Sequence, residues 1–143
     1  MMNERTKQLT TLVMLANASL ERLHAQEAGG ELTRDQAQKE AKKLIGSLRK
    51  DELYFFVRGY TDDVNLVHPN PKRVGIVDSK GGKEAGERYR AALAGKTIAT
   101  LTAYGTRPGA KDEVLKLYAI TKFGPWDWIV GFGDYIDDID TAF

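Results

Sequence analysis

The sequence predicts an α+β fold in which two helices precede an antiparallel sheet. Apolar residues recur with the helical period of 3.6 before Leu53 and with a period of two after it. The later segments are short and joined by short returns, which favours antiparallel pairing. With 143 residues, 42% of them apolar, the chain can form one domain with its own core.

The first third of the chain is predicted to be helical. Between residues 6 and 24, one face of a helix carries Leu9, Leu12, Val13, Ala16, Leu20 and Leu23. Residues 26–31 end this helix, and the capping-box pair Thr33 and Gln36 begins a second one. The apolar face of the second helix carries Ala37, Ala41, Leu44, Ile45 and Leu48. Because the first stripe lies on a helix expected to protrude, we expect it to pair with a second copy in a homodimer.

Five strands are predicted after the helices, at residues 53–58, 64–68, 97–104, 114–122 and 127–132. Residues 59–63 form a hairpin turn, and Pro69 and Pro71 end the second strand because proline cannot donate to a ladder. Residues 78–82 are a predicted loop. A short helix follows over residues 84–93, with Gly95 at a C-cap position.

Composition and motifs argue against several classes of function. Twenty-one lysine and arginine residues nearly balance 20 aspartate and glutamate residues, and no basic block is interleaved with aromatics. Nucleic acid is therefore not an expected partner. The chain has no cysteine, no histidine pair of the HExxH type and no serine in a nucleophile elbow. We expect no catalytic residues, no metal site and no cofactor.

Two polar clusters have simple structural explanations. Four aspartates near the C-terminus lack the twelve-residue loop of a calcium site, so we expect a solvated acidic segment: Asp134, Asp137, Asp138 and Asp140. Gly81 and Gly82 lie between Lys80 and Lys83 but lack the GxxxxGK[ST] pattern of a phosphate loop, so we expect an ordinary turn.

A series of short motifs, in a fixed order, resembles the single Cache sensor domains of bacterial methyl-accepting chemotaxis proteins and related transmembrane receptors. These motifs are Tyr54-Phe-Phe-Val57, His68-Pro69, Lys116, Trp126-Asp-Trp128, Gly131-Phe-Gly133 and Tyr135-Ile-Asp-Asp-Ile139. The resemblance extends along the whole chain. It implies one domain, residues 1–143, with a helical dimerisation region at residues 1–50 and a PAS-like five-stranded antiparallel sheet at residues 51–143.

The resemblance also implies a location and a mode of action. Members of this family are extracytoplasmic domains, so we expect a periplasmic domain of an inner-membrane receptor. The sequence itself contains no run of about eighteen apolar residues. Transmembrane helices are therefore expected to flank it in a full-length receptor, and the last strand is expected to pass the signal to the following transmembrane helix.

The ligand implied by the resemblance is a small carboxylate, such as acetate, propionate, pyruvate, lactate or malate. Strand alternation places Lys116 and Tyr118 on one face of the strand and Leu115 and Leu117 on the other. That face is either exposed to solvent or forms the floor of a pocket, where a carboxylate would compensate the lysine charge. His68, at a strand end, either bonds nearby backbone or contacts the ligand.

Aromatic and arginine residues on the strands complete the candidate site. Aromatic rings there either pack in the core or enclose a small acid, and Tyr104 is the preferred second hydrogen-bond donor. Arg58 and Arg49 are candidates for bidentate carboxylate binding, or are structural or exposed. The predicted ligand-binding residues are His68, Tyr104, Lys116, Tyr118, Tyr54, Phe56, Trp128 and Arg58.

Two other functions remain open from the sequence. A cytoplasmic PAS-like module would bind a partner protein or a hydrophobic cofactor, and would lack flanking membrane spans. A small hydrolase would turn over a substrate, which none of the motifs predicts. The discriminating observations are the flanking sequence and product formation.

Overall fold

The computed structural model describes residues 2–51, 53–106 and 111–136. Within these ranges the helices are α1 (Met2–Ala28), α2 (Arg34–Ser47) and α3 (Gly82–Ala92). The strands are β1 (Arg49–Lys50), β2 (Leu53–Gly59), β3 (Asn65–Val67), β4 (Ile98–Thr106), β5 (Glu113–Phe123) and β6 (Trp128–Tyr135). Short 3-10 turns lie at Pro71–Arg73 and Gly124–Trp126.

The strands form one antiparallel sheet with the order β1-β2-β6-β5-β4, and β3 pairs with β2. All five predicted strands are present, so the α+β fold is confirmed. The additional strand β1 has two residues, too few to show a period of two in the sequence. Strand β6, near the end of the chain, therefore lies between β2 and β5 in the middle of the sheet.

The helices α1 and α2 cover one face of the sheet. Most of the apolar stripe of α1 is buried in the core cluster that includes Val57, Leu117 and Val130, but Leu12 is 38% exposed. Leu20 is fully buried there, so its replacement by alanine would cost about 2–5 kcal/mol. The expectation that this stripe protrudes from the sheet domain was wrong, because the domain's own sheet covers Leu9, Val13, Ala16 and Leu20.

The predicted capping box starts α2 as expected. The Thr33 hydroxyl oxygen accepts a bond of 3.1 Å from the Gln36 backbone N–H. The Gln36 side-chain oxygen accepts a bond of 2.9 Å from the Thr33 backbone N–H. Two otherwise unpaired donors of the first turn are thereby satisfied, and Ala37, Ala41 and Ile45 are buried along one side of the helix.

The other face of the sheet carries α3 and a second apolar cluster, formed by Phe56, Tyr89, Leu93, Ile120 and Ile129. The helix α3 begins at Gly82, two residues before the expected start. A side chain at Gly86 would collide with the carboxylate of Asp63, so glycine allows this close approach.

The start of α1 lies close to the end of β6. Arg5 forms an ion pair with Asp134, which is therefore held by a partner and is not part of a freely solvated acidic segment. The other aspartates of that predicted segment lie outside the described residues. Among the described helices, none combines the length and apolar character that crossing a bilayer requires.

Candidate ligand-binding site

A cavity of about 540 Å³ lies on the α3 face of the sheet. This volume is in the range of small-molecule binding sites, about 300–1,000 Å³. Strands β2, β4 and β5 supply one side, and α3 with the segment that precedes it supplies the other. Seven of the eight predicted ligand-binding residues line it: Tyr54, Phe56, Arg58, His68, Tyr104, Lys116 and Tyr118.

Strand alternation places Lys116 at this cavity. Leu115 and Leu117 pack with the core under the helices, so Lys116 and Tyr118 point to the opposite face. The lysine is 3% exposed, which is inconsistent with a solvent-facing side chain. Lys116 therefore lies in the cavity wall, on the same face as Tyr118 as the sequence predicted.

Aromatic rings surround the Lys116 ammonium group. Its Nζ lies 3.4 Å from the Tyr54 hydroxyl oxygen. It also lies 4.6 Å, 5.1 Å and 4.8 Å from the ring centroids of Tyr54, Tyr118 and Tyr135. Each ring stabilises a cation by about 0.5–2 kcal/mol, more when water is excluded. The charge is thus held in place by aromatic faces.

Gly133 makes room for this arrangement. A β-carbon at Gly133 would lie 2.6 Å from Lys116 Cε and 2.9 Å from Tyr118 Cδ1. Gly131 similarly accommodates the ring of Phe56. The Gly131-Phe-Gly133 motif was visible in the sequence, but its role depends on the pairing of β6 with β2 and β5, which the sequence does not show.

His68 is a neutral hydrogen-bond donor at ordinary pH. Burial, reinforced by the nearby Arg73 charge, lowers the pKa of His68 to about 4. Its Nδ1 accepts a bond of 3.0 Å from the Asn70 backbone N–H. The proton of the neutral ring therefore resides on Nε2. His68 thus bonds nearby backbone through Nδ1 and also lies in the cavity wall. The backbone bond therefore does not exclude contact with a ligand through Nε2.

The tyrosine hydroxyls differ in their surroundings. Burial raises the pKa of Tyr54 and of Tyr118, so both hydroxyls stay protonated and can donate. Tyr104 is 68% exposed and lies at the cavity rim. It can reach a ligand only from the mouth, so Tyr54 is the better placed partner for a group bound at Lys116.

Trp128 does not belong to this site. On β6, residues 128, 130 and 132 share the face that packs under α1 and α2, whereas Ile129 belongs to the cluster beside α3. The indole of Trp128 packs against Trp126, with ring centroids 4.8 Å apart. Its inclusion among the ligand-binding residues was wrong, because the strand register sends its side chain to the opposite face.

Arg58 lies buried at the end of the cavity beside the start of α3. Its Nη2 donates to the Gly82 carbonyl oxygen at 2.8 Å and lies 3.2 Å from the Asp63 carboxylate. The guanidinium also stacks over Tyr89, 5.2 Å from the ring centroid. Arg49, the other predicted arginine, is exposed on β1 and is not among the residues that line the cavity.

Several cavity residues were not predicted. Arg73 forms a bidentate pair with Asp78, with bonds of 2.8 Å and 2.6 Å, which raises the pKa of Arg73 and lowers that of Asp78. The predicted turn at Lys80, Gly81 and Gly82 proves to line the cavity at the start of α3. A signal was available on α3, where Ala85 and Tyr89 are four residues apart and share one helical face.

The cavity is suited to a small anion. Its basic lining residues are Arg58, Arg73, Lys80, Arg88 and Lys116, and its acidic ones are Asp78 and Glu113. The excess of cations makes the potential positive, while protonated hydroxyls and a neutral imidazole add hydrogen-bond donors. The fold and cavity thus define a small-molecule sensor domain on a PAS-like sheet.

The chain belongs to the single Cache domain 2 family, which it matches over residues 1–143. It is 35% identical over 125 residues to the methyl-accepting chemotaxis protein McpP of Pseudomonas putida. That alignment covers 82% of this chain and 22% of the relative, so the chain spans about a fifth of the relative's length. The family consists of chemoreceptor sensor domains and not of enzymes.

Two solved structures share the fold closely. A Cache chemosensory domain described as recognising carboxylic acids has a TM-score of 0.83 and 29% identity, covering 94% of this chain and 95% of its own. The periplasmic sensor domain of a chemotaxis protein has a TM-score of 0.84 and 28% identity, covering 96% of this chain and 99% of its own.

Proposed function

We propose that this domain binds a short-chain mono- or dicarboxylate in the cavity and signals its presence as part of a transmembrane chemoreceptor. The carboxylate pairs with the Lys116 ammonium and accepts hydrogen bonds from Tyr54 and from His68 Nε2. Phe56 and Tyr118 exclude water, and Tyr104 contacts the ligand from the rim. The domain releases the acid unchanged, without catalysis.

The observation that carries this proposal is the burial of Lys116 in a cavity wall, 3% exposed. An ammonium group in such a place costs several kcal/mol of lost hydration, which the surrounding rings offset in part. A bound carboxylate adds a charge-assisted hydrogen bond at short range. The related domain that recognises carboxylic acids makes this ligand class the first to test.

The experiment is a comparison of acids with their uncharged amides by thermal unfolding and calorimetry. A ligand that binds only the folded state raises the melting temperature, by an amount that follows from its concentration and Kd. Acetate, propionate, pyruvate and malate are expected to stabilise the domain, whereas acetamide and propionamide are not. Equal stabilisation by acids and amides would show that charge recognition at Lys116 is wrong.

The proposed signal route leads from Lys116 to the end of β6. Lys116 is the cross-strand partner of Tyr135, and Leu117 is the partner of Asp134. Asp134 pairs with Arg5 near the start of α1. A bound carboxylate that pulls the Lys116 side chain toward itself also shifts this end of β6 relative to α1. Displacements of about 1–2 Å suffice in known switches.

A homodimer through the N-terminal helices is proposed on a revised basis. The buried residues of the α1 stripe pack against the sheet, but Leu12 from the stripe, together with Met14 and Leu15, remains exposed, at 38%, 58% and 64% respectively. We propose that Leu12 and Leu15, three residues apart on one side of α1, contact a second copy. Sedimentation should show a dimer whose association weakens in Leu15→Glu, and an unchanged association constant would contradict this interface.

The proposed location is the periplasm, as a domain of an inner-membrane receptor with transmembrane helices on either side of it. Support comes from the periplasmic sensor domain that shares the fold. The test is the flanking sequence of the full-length protein, in which hydrophobic spans should precede α1 and follow β6. A full-length protein without such spans would contradict this location and favour a cytoplasmic module.

A further inference from the structure

The two edges of the sheet differ in how they are protected. One edge is formed by β1 and β3, of two and three residues, and both residues of β1, Arg49 and Lys50, are charged and exposed. Short, charged edge strands discourage pairing with another chain. The opposite edge is β4, which has nine residues, none of them charged and none of them proline. The strand β4 therefore lacks the features by which sheet proteins usually keep an edge unpaired.

The ladder between β4 and β5 is regular and leaves one side of β4 unpaired. Nine residue pairs follow one another in register without a bulge. The Thr97 carbonyl oxygen accepts a bond of 3.1 Å from the Lys122 backbone N–H, so the odd-numbered residues of β4 bond to β5. The even-numbered residues direct their backbone groups away from the sheet, where no other described strand pairs with them. Three of these residues are exposed: Thr100, Thr102 and Tyr104.

A groove of about 480 Å³ lies along the first part of this free edge, between α1 and α3. The α1 side of the groove is lined by Thr6 and Thr10, and the α3 side by Ala91 and Ala92. These side chains are small, so the groove leaves room for a further strand at the usual distance of about 4.8 Å from β4. Lys96, which is exposed, adds a positive charge to the lining. The groove therefore favours an extended segment that carries a negative charge at one end.

The direction of β4 argues against a second copy of this chain as the occupant. Strands β4 and β6 are both antiparallel to β5, so they run in the same direction. The end of β6 lies beside the start of α1 through Asp134 and Arg5, so in the proposed receptor both membrane helices leave from that end. Antiparallel pairing of two β4 strands would point the second copy's membrane end the opposite way, and a two-fold axis along the strands would place donors opposite donors. Two receptors in one membrane therefore cannot pair through β4.

We infer that the free edge of β4 binds an extended segment of a different protein, which adds a strand to the sheet. The backbone of that segment pairs with Thr100, Thr102 and Tyr104, as in other cases of strand addition. Its side chains alternate between the two faces. Small apolar side chains meet the alanines of α3, hydroxyl groups meet the threonines of α1, and a carboxylate lies beside Lys96. The exclusion of a second copy rests on the proposed location, whereas the site itself does not depend on acid binding in the cavity.

The probe is a synthetic peptide of about eight residues that alternates threonine and valine and ends in aspartate, with both termini blocked. When it is added antiparallel to β4, its aspartate lies beside Lys96 at the start of the strand. Hydrogen exchange followed by nuclear magnetic resonance should show the amides of Thr100 and Thr102 exchanging at least about tenfold more slowly with bound peptide. The amide of Leu101, which already bonds to β5, should change much less. Protection confined to other parts of the domain, or no binding at millimolar peptide, would overturn the inference.

Thr102→Pro tests the edge from the side of the protein. The Thr102 N–H points away from β5, so proline leaves the ladder with β5 intact but removes a donor that the peptide needs. Peptide affinity by calorimetry should fall at least about tenfold. Thr102→Val, the matched control, keeps the N–H and should bind within about twofold of the unchanged domain.

Equal peptide affinities of the two variants would overturn backbone recognition at this edge. A fall in the self-association of the domain in Thr102→Pro, without a fall in peptide affinity, would assign the edge to a second copy and overturn the inference. Should the proline variant fail to fold, hydrogen exchange in the unchanged domain decides the question. Thr102 does not line the cavity, so these outcomes are independent of whether the domain binds a carboxylate.

Discussion

The replacement of Lys116 by methionine separates its role in folding from its role in binding. Methionine keeps an unbranched stem of similar bulk and removes the ammonium group. In the unliganded domain this loses contacts with the rings of Tyr54, Tyr118 and Tyr135, at 4.6–5.1 Å, which together amount to about 2–4 kcal/mol. It also removes a burial penalty of several kcal/mol. The two effects nearly cancel, so we expect the free energy of unfolding to change by less than about 2 kcal/mol.

Ligand affinity should respond differently, because the carboxylate would lose its charge partner and remain buried. We expect a loss of about 2–5 kcal/mol, or thirty-fold or more in Kd, measured by calorimetry with the tightest-binding acid. Lys122→Met is the control, since Lys122 lies on the same strand and the same face, with its Nζ 4.0 Å from the Tyr60 ring, but outside the cavity. An equal loss in both variants, or no loss in Lys116→Met, would refute the proposed role of Lys116.

Three further predictions concern the cavity and its surroundings. Gly133→Ala should weaken acid binding by about tenfold or more, because the new methyl group displaces Lys116 and Tyr118, and unchanged binding by calorimetry would contradict this. Stability should fall as the pH falls from 6.5 to 4, because the unfolded chain protonates His68 before the folded one does. The His68 contribution, about 1–2 kcal/mol after allowance for solvent screening, should be absent in a His68→Gln denaturation series; identical pH profiles would disprove it. Trp128→Phe should lower the melting temperature but leave acid affinity within about twofold, and a large loss of affinity would return Trp128 to the site.

Local patterns in the sequence account for most of the fold. The stripe from Leu9 to Leu20 and the capping box at Thr33 identify the two helices because each depends on residues a few positions apart. The strands follow from alternation in the same way. The stripe does not reveal what covers it, because a second copy and the domain's own sheet satisfy the same pattern equally well.

The sequence predicts those site residues whose relative positions depend on a single strand. Alternation along β5 places Lys116 and Tyr118 on one face whatever their neighbours are. For Trp128, the prediction also required knowing which face of β6 lies toward the cavity and which lies toward α1 and α2. That depends on the pairing of β6 between β2 and β5, which the sequence does not show. Arg73, Asp78 and Arg88 reach the cavity from segments outside the sheet, through contacts between residues distant from the strands in sequence, so no local pattern identifies them.

The most direct test of the central claim is a crystal structure of the domain with propionate. We predict that the carboxylate lies in the cavity, with one oxygen about 2.7–2.9 Å from Lys116 Nζ and within hydrogen-bonding reach of the Tyr54 hydroxyl group. A carboxylate bound outside this cavity, or bound within it only to other groups while Lys116 keeps its contacts with the tyrosine rings, would contradict the account.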